Sequence, residues 1–561
     1  MSADLHHGPT LFRGPLFWCL VLALAAIGFP LAALAQAAPT LSGGPFYVAT
    51  TGNDSNDCLS PATACRSIGA AIGKAAGGCA ILIAAGTYYE WLTLDKDLTL
   101  FGTDQAPAVI DGGSAGRVMT VPLSVTVNLV NLTLQHGLAA QGAGIYNQGT
   151  LLLSDSTVAY NTVLATGGGI WNSGTLIALH SAIVNNSANP GTAGGLWNEG
   201  IAALSNSQIS ENSVSEGYQC VAGIENHGQL TLDHSETSGN RGGSCYASGL
   251  RNYATAIVVH SVISGNQTSA CCGGSSNATL VNEGDSFMLD NSLVANNQGS
   301  GVRNAGAMTI TRSLIEHNQA NAYGGGSGGI YNIGTLTVDR TLVRANAPDG
   351  RYGGASGIFN NGLLHVSNSA VISNVNGTSY PTYAVFNQAT LIMTNTTVGG
   401  NSDPVWSSDV GIENRGELTT TNVTIAYNPI GLRANYSGTV WLKNTLLANN
   451  PKGNCTTSNG GYLISLDYNL DTDTSCNLTS DHDLAYPDAL LLPLDDYGGA
   501  TLVYALAGTS PAIDADDNAA CPPVDQRGYP RPQRAACDIG AFERYFGRNY
   551  LPIMLNHIFT R

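Results

Sequence analysis

Several side chains with chemical potential recur at one place in a repeating unit. Tyr146, Trp171, Trp197, Glu225, Arg251 and Arg303 each stand one residue before an asparagine. Aromatic faces at successive repeats offer a platform for sugar rings, so Tyr146, Trp171 and Trp197 are the candidate carbohydrate-binding residues. Glu225 and Arg251 lie on consecutive repeats and are expected to face each other. A cross-strand ion pair is the ordinary outcome, and an acid–base pair acting on a polymer is the chemical one. The chain has four lysines, Lys74, Lys96, Lys443 and Lys452, and none lies between Asn147 and Asn435, so a base for proton abstraction there has to come from Arg251 or Arg303.

Metal chemistry has weaker sources. His180, His234 and His260 occupy equivalent positions in their repeats, but no third ligand stands out, and exposed turn histidines are the expected result. Asp471, Asp473, Asp481 and Asp483 form an acidic stretch whose Asp-Thr-Asp-Thr-Ser start is similar to a calcium loop. Cys476 stands where such a loop needs Gly, and His482 where it needs Glu. No cofactor is therefore expected, apart from Ca²⁺ at that stretch. The Gly324–Gly329 segment GGGSGG lacks the Lys-Ser/Thr of a phosphate loop.

The elements that position these residues are set by two series of asparagines. Heads recur at Asn147, Asn172, Asn198, Asn226, Asn252, Asn282, Asn304, Asn332, Asn360, Asn387, Asn414 and, less regularly, Asn435; tails recur at Asn161, Asn186, Asn212, Asn240, Asn266, Asn297, Asn318, Asn346, Asn374, Asn401, Asn428 and Asn450. Head and tail are 14 residues apart in ten units and 15 in two, whereas the next head follows 7 to 16 residues later. Apolar residues keep fixed columns: Ile145, Ile170 and Leu196 two before the head, Leu151 and Leu153 four and six after it, Val158 and Ile183 eleven after it. Alternation by two within each piece predicts strands, three to a unit, and a unit too thin to bury its own apolar face must stack on its neighbours. The expected fold is all-β, a single right-handed parallel β-helix with three strands per coil. Twelve coils at about 4.8 Å each predict a rod of roughly 55–60 Å before its caps, with the asparagines hydrogen-bonded in ladders from coil to coil.

Composition agrees with this reading. Charged residues are 11% and hydrophobic residues 43%, with 68 glycines, which excludes disorder and a helical protein. The net charge of −17 argues against nucleic acid and anionic membrane surfaces as partners. Residues 1–35 carry Arg13 and an apolar run ending Ala33-Leu34-Ala35, the pattern of a secretory signal, so export to the surface or the medium is expected. No later segment is apolar and long enough to cross a bilayer, and a monomer is expected. Residues 36–92 read as an N-terminal cap, 93–453 as the array, 454–543 as an irregular, disulfide-tied C-terminal cap and 544–561 as an apolar tail. In an exported chain the cysteine spacing pairs Cys58 with Cys65, Cys220 with Cys245, Cys455 with Cys476 and Cys521 with Cys537. Cys271 and Cys272 are alternative partners for Cys245, and Cys79 reads as a free buried thiol.

The turns LTLDKDLTLFG, AVIDGG and LVNLTLQHG resemble the opening coils of pectin-lyase-like right-handed β-helix proteins. The segment GGATLVYALAGTSPAIDADDNAACPPVDQRGYPRPQRAACDIGAFE resembles the C-terminal region of exported bacterial proteins with a choice-of-anchor Q domain, and the repeated GGI-x-N turns are similar to those of polymorphic outer-membrane adhesins. These resemblances imply a surface or secreted β-helix without implying a reaction. The final YLPIMLN lacks the Pro-Gly start, long helix and basic end of common sorting signals. Enzymes of this shape use carboxylate clusters with an Arg or Lys base, or short Asp motifs. No Asn-Thr-Asp, Gly-Asp-Asp, Gly-His-Gly or Arg-Ile-Lys sequence is present. The expected function is therefore adhesion, display or binding of extracellular or cell-envelope polysaccharide or a surface protein. The alternatives are a polysaccharide lyase on the same scaffold and a structural envelope component.

Overall fold

A computed structural model describes residues 44–545 except 104–105, 216–219, 244–245, 269–276, 321–326, 349–353, 375–381 and 402–408. The expected leader and nearly all of the apolar tail thus lie outside the described residues, as do Cys245, Cys271 and Cys272. The chain winds as a parallel β-helix with three long sheets, of 15, 17 and 17 strands. One unit shows the plan: Ile170–Asn172 lies in the head sheet, Thr175–Leu179 in the middle sheet and Ala182–Val184 in the tail sheet. Each strand pairs in parallel with its counterpart one coil away, as Ile170, Trp171 and Asn172 do with Leu196, Trp197 and Asn198. Fifteen strands in the head sheet give a rod about 67 Å long. Six units add a short fourth strand after the tail, such as Ser187–Ala188, which builds a separate six-stranded flank sheet.

Three apolar columns meet inside the coil. Ile170, Leu176 and Ile183 are almost fully buried, and their equivalents continue one core along the rod. Two buried ladders tie the coils together. In the head ladder, each Asn Nδ2 from Asn147 to Asn387 donates to the Oδ1 of the next head at 2.6–2.9 Å. In the tail ladder, the Oδ1 of each asparagine accepts both the backbone N–H and the side-chain amide of the preceding one, as Asn212 does from Asn186 at 3.0 and 3.1 Å. The small residue before each inward apolar one follows from this ladder: a Cβ on Gly169 would lie 2.9 Å from Asn186 Nδ2.

Left-handed corners shape the turns. The residue before each tail has positive φ, from Tyr160 and Asn185 to Tyr427 and Asn449, and so does a second corner that holds His180, Asn206, His234, His260 and Asn291. Behind the second corner runs a hydroxyl ladder, in which Ser207 Oγ accepts from Ser181 N–H and Ser235 Oγ from Ser207 N–H, each at 3.1 Å.

The two ends differ. A short helix, Ile68–Lys74, capped by Ser67 and covering the first coils with Ile68, Ala71 and Ile72, closes the N-terminal side. At the other end Asn435 does not continue the head series, because Ala434 is the register partner of Asn414 and the Asn435 amide bonds Glu413 instead. The tail ladder runs on through Asn454 to Asp471, whose Oδ1 accepts from Asn454 Nδ2 at 2.7 Å. A carboxylate only accepts, so it ends the ladder without leaving an unsatisfied donor. Beyond it, the C-terminal region folds back along the flank. Asn395 Nδ2 donates to Val524 O, Thr397 Oγ1 to Gln526 Oε1 and Gly540 N–H to Asn444 O, while Lys443 pairs with Asp517 at 2.9 Å. This region is thus a side buttress as well as an end cap. Cys58–Cys65, Cys455–Cys476 and Cys521–Cys537 are bridged, Cys220 is disulfide-bonded, and Cys79 is free and buried. Among the described residues no helix is long and apolar enough to cross a membrane.

The buttress is held by a buried charge network. Arg531 is fully enclosed, its Nη1 3.5 Å from Glu543 and 3.9 Å from Asp516, and it donates to the Asp538 and Gly540 carbonyls. Burial pushes the carboxyls of Asp516 and Asp538 up to about 7. The folded buttress therefore keeps protons that an unfolded chain releases near pH 4, and the stabilisation they give is lost as pH rises through about 7. Thermal melts of the wild type minus those of Asp516→Asn are expected to show a stability difference that falls between pH 4 and 7 and is flat above. In urea titrations, Asn212→Ala is expected to cost about 3 kcal/mol, since it orphans buried partners on both neighbouring coils.

Candidate functional site

The outward column of the head sheet is continuous, and its rings turn their faces to each other. Tyr146 and Trp171 stack with centroids 4.3 Å apart and planes 5° apart, and the Arg117 guanidinium covers the other side of Tyr146 at 4.5 Å. Trp171 is only 7% exposed, and its indole N–H is buried without an acceptor. Trp197 is half-buried, donates from Nε1 to Glu199 at 2.9 Å and packs at a tilt of 31° against His227, which in turn stacks on Tyr253 at 4.5 Å. Tyr146 and Trp171 are therefore paired with each other, and Trp197 belongs to a second stack that begins one coil later. Parallel strands about 4.8 Å apart bring flat side chains to stacking distance, and this explains why the faces close on one another.

The second stack passes into a charge cluster. Glu225 and Arg251 are neighbours in register, as their spacing predicts, and both are buried. Each also bonds other groups. Arg251 donates from Nε and Nη2 to one Glu283 oxygen at 3.0 and 2.9 Å, and its guanidinium lies between the rings of Tyr246 and Tyr253. Glu225 accepts from Thr192 Oγ1 at 2.5 Å and lies 3.3 Å from His227 Nε2. Arg303 sits over the other side of Tyr246 and 3.7 Å from Glu283, with its Nε and Nη1 buried and without a hydrogen bond. Burial pushes the Tyr253 phenol up to about 12 and raises that of Tyr246. Neither phenol is thus suited to take a proton near neutral pH. Glu283, Tyr246 and Tyr253 escape a reading by columns, because Tyr253 and Glu283 stand one after the head and Tyr246 comes from a loop.

The flank sheet forms a groove along the rod. It has a volume of about 640 Å³ and crosses five coils, with Ser187, Asn189, Ser213, Arg241, Gln267 and Gln298 among its lining residues. Five coils span about 19 Å along the rod. Among the described residues that line it, only Arg241 is charged, with Nη2 3.1 Å from Glu211. The sequence signal for this groove was the residue pair after each tail, Ser187-Ala188 and Ser213-Val214, which alternates polar and apolar like a strand.

Other candidates are placed differently. Asp471 and Asp473 spend their oxygens on Asn454, Cys476 and Ser475, and Asp483 on Asn469 and Ser480. Asp471, Asp473, Asp481 and Asp483 do not converge as a set of cation ligands. His234 and His260, in contrast, share a neighbour that their spacing did not reveal: both Nδ1 atoms lie on Asp233 Oδ1, at 2.7 and 3.1 Å. His180 is not part of that group.

The chain is by these features a parallel β-helix with an outward aromatic and arginine column and a polar flank groove. No family model matches it, and no curated protein matches it. Three solved structures are similar in fold. Pectate lyase Pel9A is 15% identical, with 89% of this chain and 96% of that one covered at a TM-score of 0.24. A complex of XylC with xylose is 9% identical, with coverages of 90% and 99% and a TM-score of 0.27. A rhamnogalacturonan lyase is 11% identical, with coverages of 83% and 96% and a TM-score of 0.23. Identities and TM-scores this low carry no argument about function.

In the charge cluster, Glu283→Ala leaves Arg251 without the acceptor of two of its donors. Denaturant unfolding is expected to show a loss of about 2–3 kcal/mol, with Glu283→Gln losing less.

Proposed function

We propose that this is an exported protein that binds extracellular or cell-envelope polysaccharide along the flank of its β-helix, in the service of adhesion or surface display. The supporting observation is the flank groove, which crosses five coils and presents Ser187, Ser213, Arg241, Gln267 and Gln298 in steps of one coil. An extended polymer lying along the rod meets hydroxyl, amide and guanidinium groups repeatedly, the donor and acceptor set that sugar hydroxyls and uronate carboxylates pair with. The groove's arginine is shared with Glu211, so the guanidinium is held in place for a carboxylate or hydroxyl of the polymer. The disulfides and the acidic, lysine-poor composition agree with an extracellular setting.

Binding is measured by affinity electrophoresis of the full chain through neutral and acidic polysaccharides. Arg241→Ala is expected to weaken retention by acidic polymers about tenfold, the size of one lost charge-assisted hydrogen bond, and to leave neutral polymers little changed. Ser213→Trp, which fills the groove, is expected to abolish both. Unchanged retention by both variants would overturn the groove as the binding surface. Incubation with pectate or alginate is expected to yield no rise in absorbance from unsaturated products; a rise would establish the lyase alternative instead.

A further inference from the structure

We infer that Asp233, His234 and His260 form a binding site for a first-row divalent transition metal, Zn²⁺ or Cu²⁺ in class, at the corner between the middle and tail sheets. Three observations converge there. His234 and His260 occupy the left-handed corner of consecutive coils, with φ of 46° and 49°. Asparagine, aspartate and histidine tolerate this conformation, so the corner accepts an imidazole without distorting the coil. The coil repeat then sets the two rings face to face, with centroids 4.6 Å apart. Both rings finally turn Nδ1, not Nε2, toward the same carboxylate oxygen, that of Asp233, which is itself buried.

A carboxylate oxygen and two imidazole nitrogens that all lie within 4.8 Å of one another direct lone pairs at one small volume. Two arrangements satisfy these atoms: each Nδ1 carries a proton and donates to the carboxylate oxygen, or all three share one cation. Two nitrogens and one oxygen are a borderline donor set that favours Zn²⁺, Cu²⁺ or Ni²⁺ and disfavours Ca²⁺ and Mg²⁺, which prefer oxygen alone. The histidine side chains are 56% and 37% exposed and can open by the few tenths of an ångström that metal–ligand bonds require, while the buried carboxylate anchors them. Three protein ligands leave a coordination position toward solvent. Other coils lack the combination: the same corner carries Asn206 and Asn291 in the neighbouring units, and among the described residues His180 belongs to no such group of three.

The test uses the full chain with the metal alone. Asparagine is the commonest residue at this corner, so His234→Asn and His260→Asn preserve the coil while removing one ligand each. Equilibrium dialysis with Zn²⁺ is expected to show one saturable site per chain, weakened about tenfold or more in His234→Asn, His260→Asn and Asp233→Asn and unchanged in His180→Asn. Electron paramagnetic resonance with Cu²⁺ is expected to show coupling to two nitrogens in the wild type and one in either histidine variant, and excess Ca²⁺ is not expected to compete. Thermal melts establish that the variants are folded. Folded variants that bind Zn²⁺ as the wild type does, or a wild-type Cu²⁺ spectrum without nitrogen coupling, would overturn the site.

Discussion

One hydrogen bond, repeated, carries the architecture: the amide of an asparagine on one coil donating to the amide oxygen of its counterpart on the next. It is buried, so each link removed would leave polar atoms with no water to turn to. Its geometry dictates what surrounds it. The residue before each tail adopts a left-handed conformation to deliver the amide inward, and a glycine such as Gly169 stands against Asn186 because a side chain has no room there. Apolar columns then fill the interior between the two ladders. The coil shape is thus determined by polar groups at the corners as much as by the core.

That division of labour frees the segment between tail and head. Since the ladders and columns hold each coil, loops of different length can leave the rod without disturbing it. Irregular contacts collect where they leave. Tyr246 comes from such a segment to separate the guanidiniums of Arg251 and Arg303, and Thr192 from another to bond Glu225. The short strands after the tails build the flank groove in the same way. Stacking also limits what the outward column can do: residues that repeat at the coil spacing find each other before they find a ligand.

The fold was legible because its cause is periodic. A constant head-to-tail distance beside a variable tail-to-head distance separates coil from loop, and alternation by two gives the strands. Where periodicity fails, so does the reading. Asn435 has the right residue type at nearly the right spacing, yet Ala434 holds the register position. The flank docking of the C-terminal region joins residues more than a hundred positions apart, such as Asn395 with Val524, and no local pattern encodes that contact. In the candidate sites, Glu225 and Arg251 were visible as neighbours, but the acceptor that Arg251 uses is Glu283, on a different column and the following coil. Asp233 was missed for a simpler reason: it stands beside His234 in sequence, where strand alternation would turn it to the opposite face, and the left-handed corner turns it back.

The direction of the tail ladder has a consequence for the rod's length. Every link donates the same way, from Asn161 toward Asn450, and the series closes on Asp471, which has nothing left to donate. An internal coil is interchangeable with any other, because it accepts from one side and gives to the other. The last coil is not, because only an acceptor-only group completes it. Copies of the unit can therefore be gained or lost within the array at little structural cost, whereas a chain cut after an internal coil would leave the last tail amide with its carbonyl acceptor on the preceding coil but without the Oδ1 that takes its other proton. Groove length and rod length can vary together while both ends stay the same.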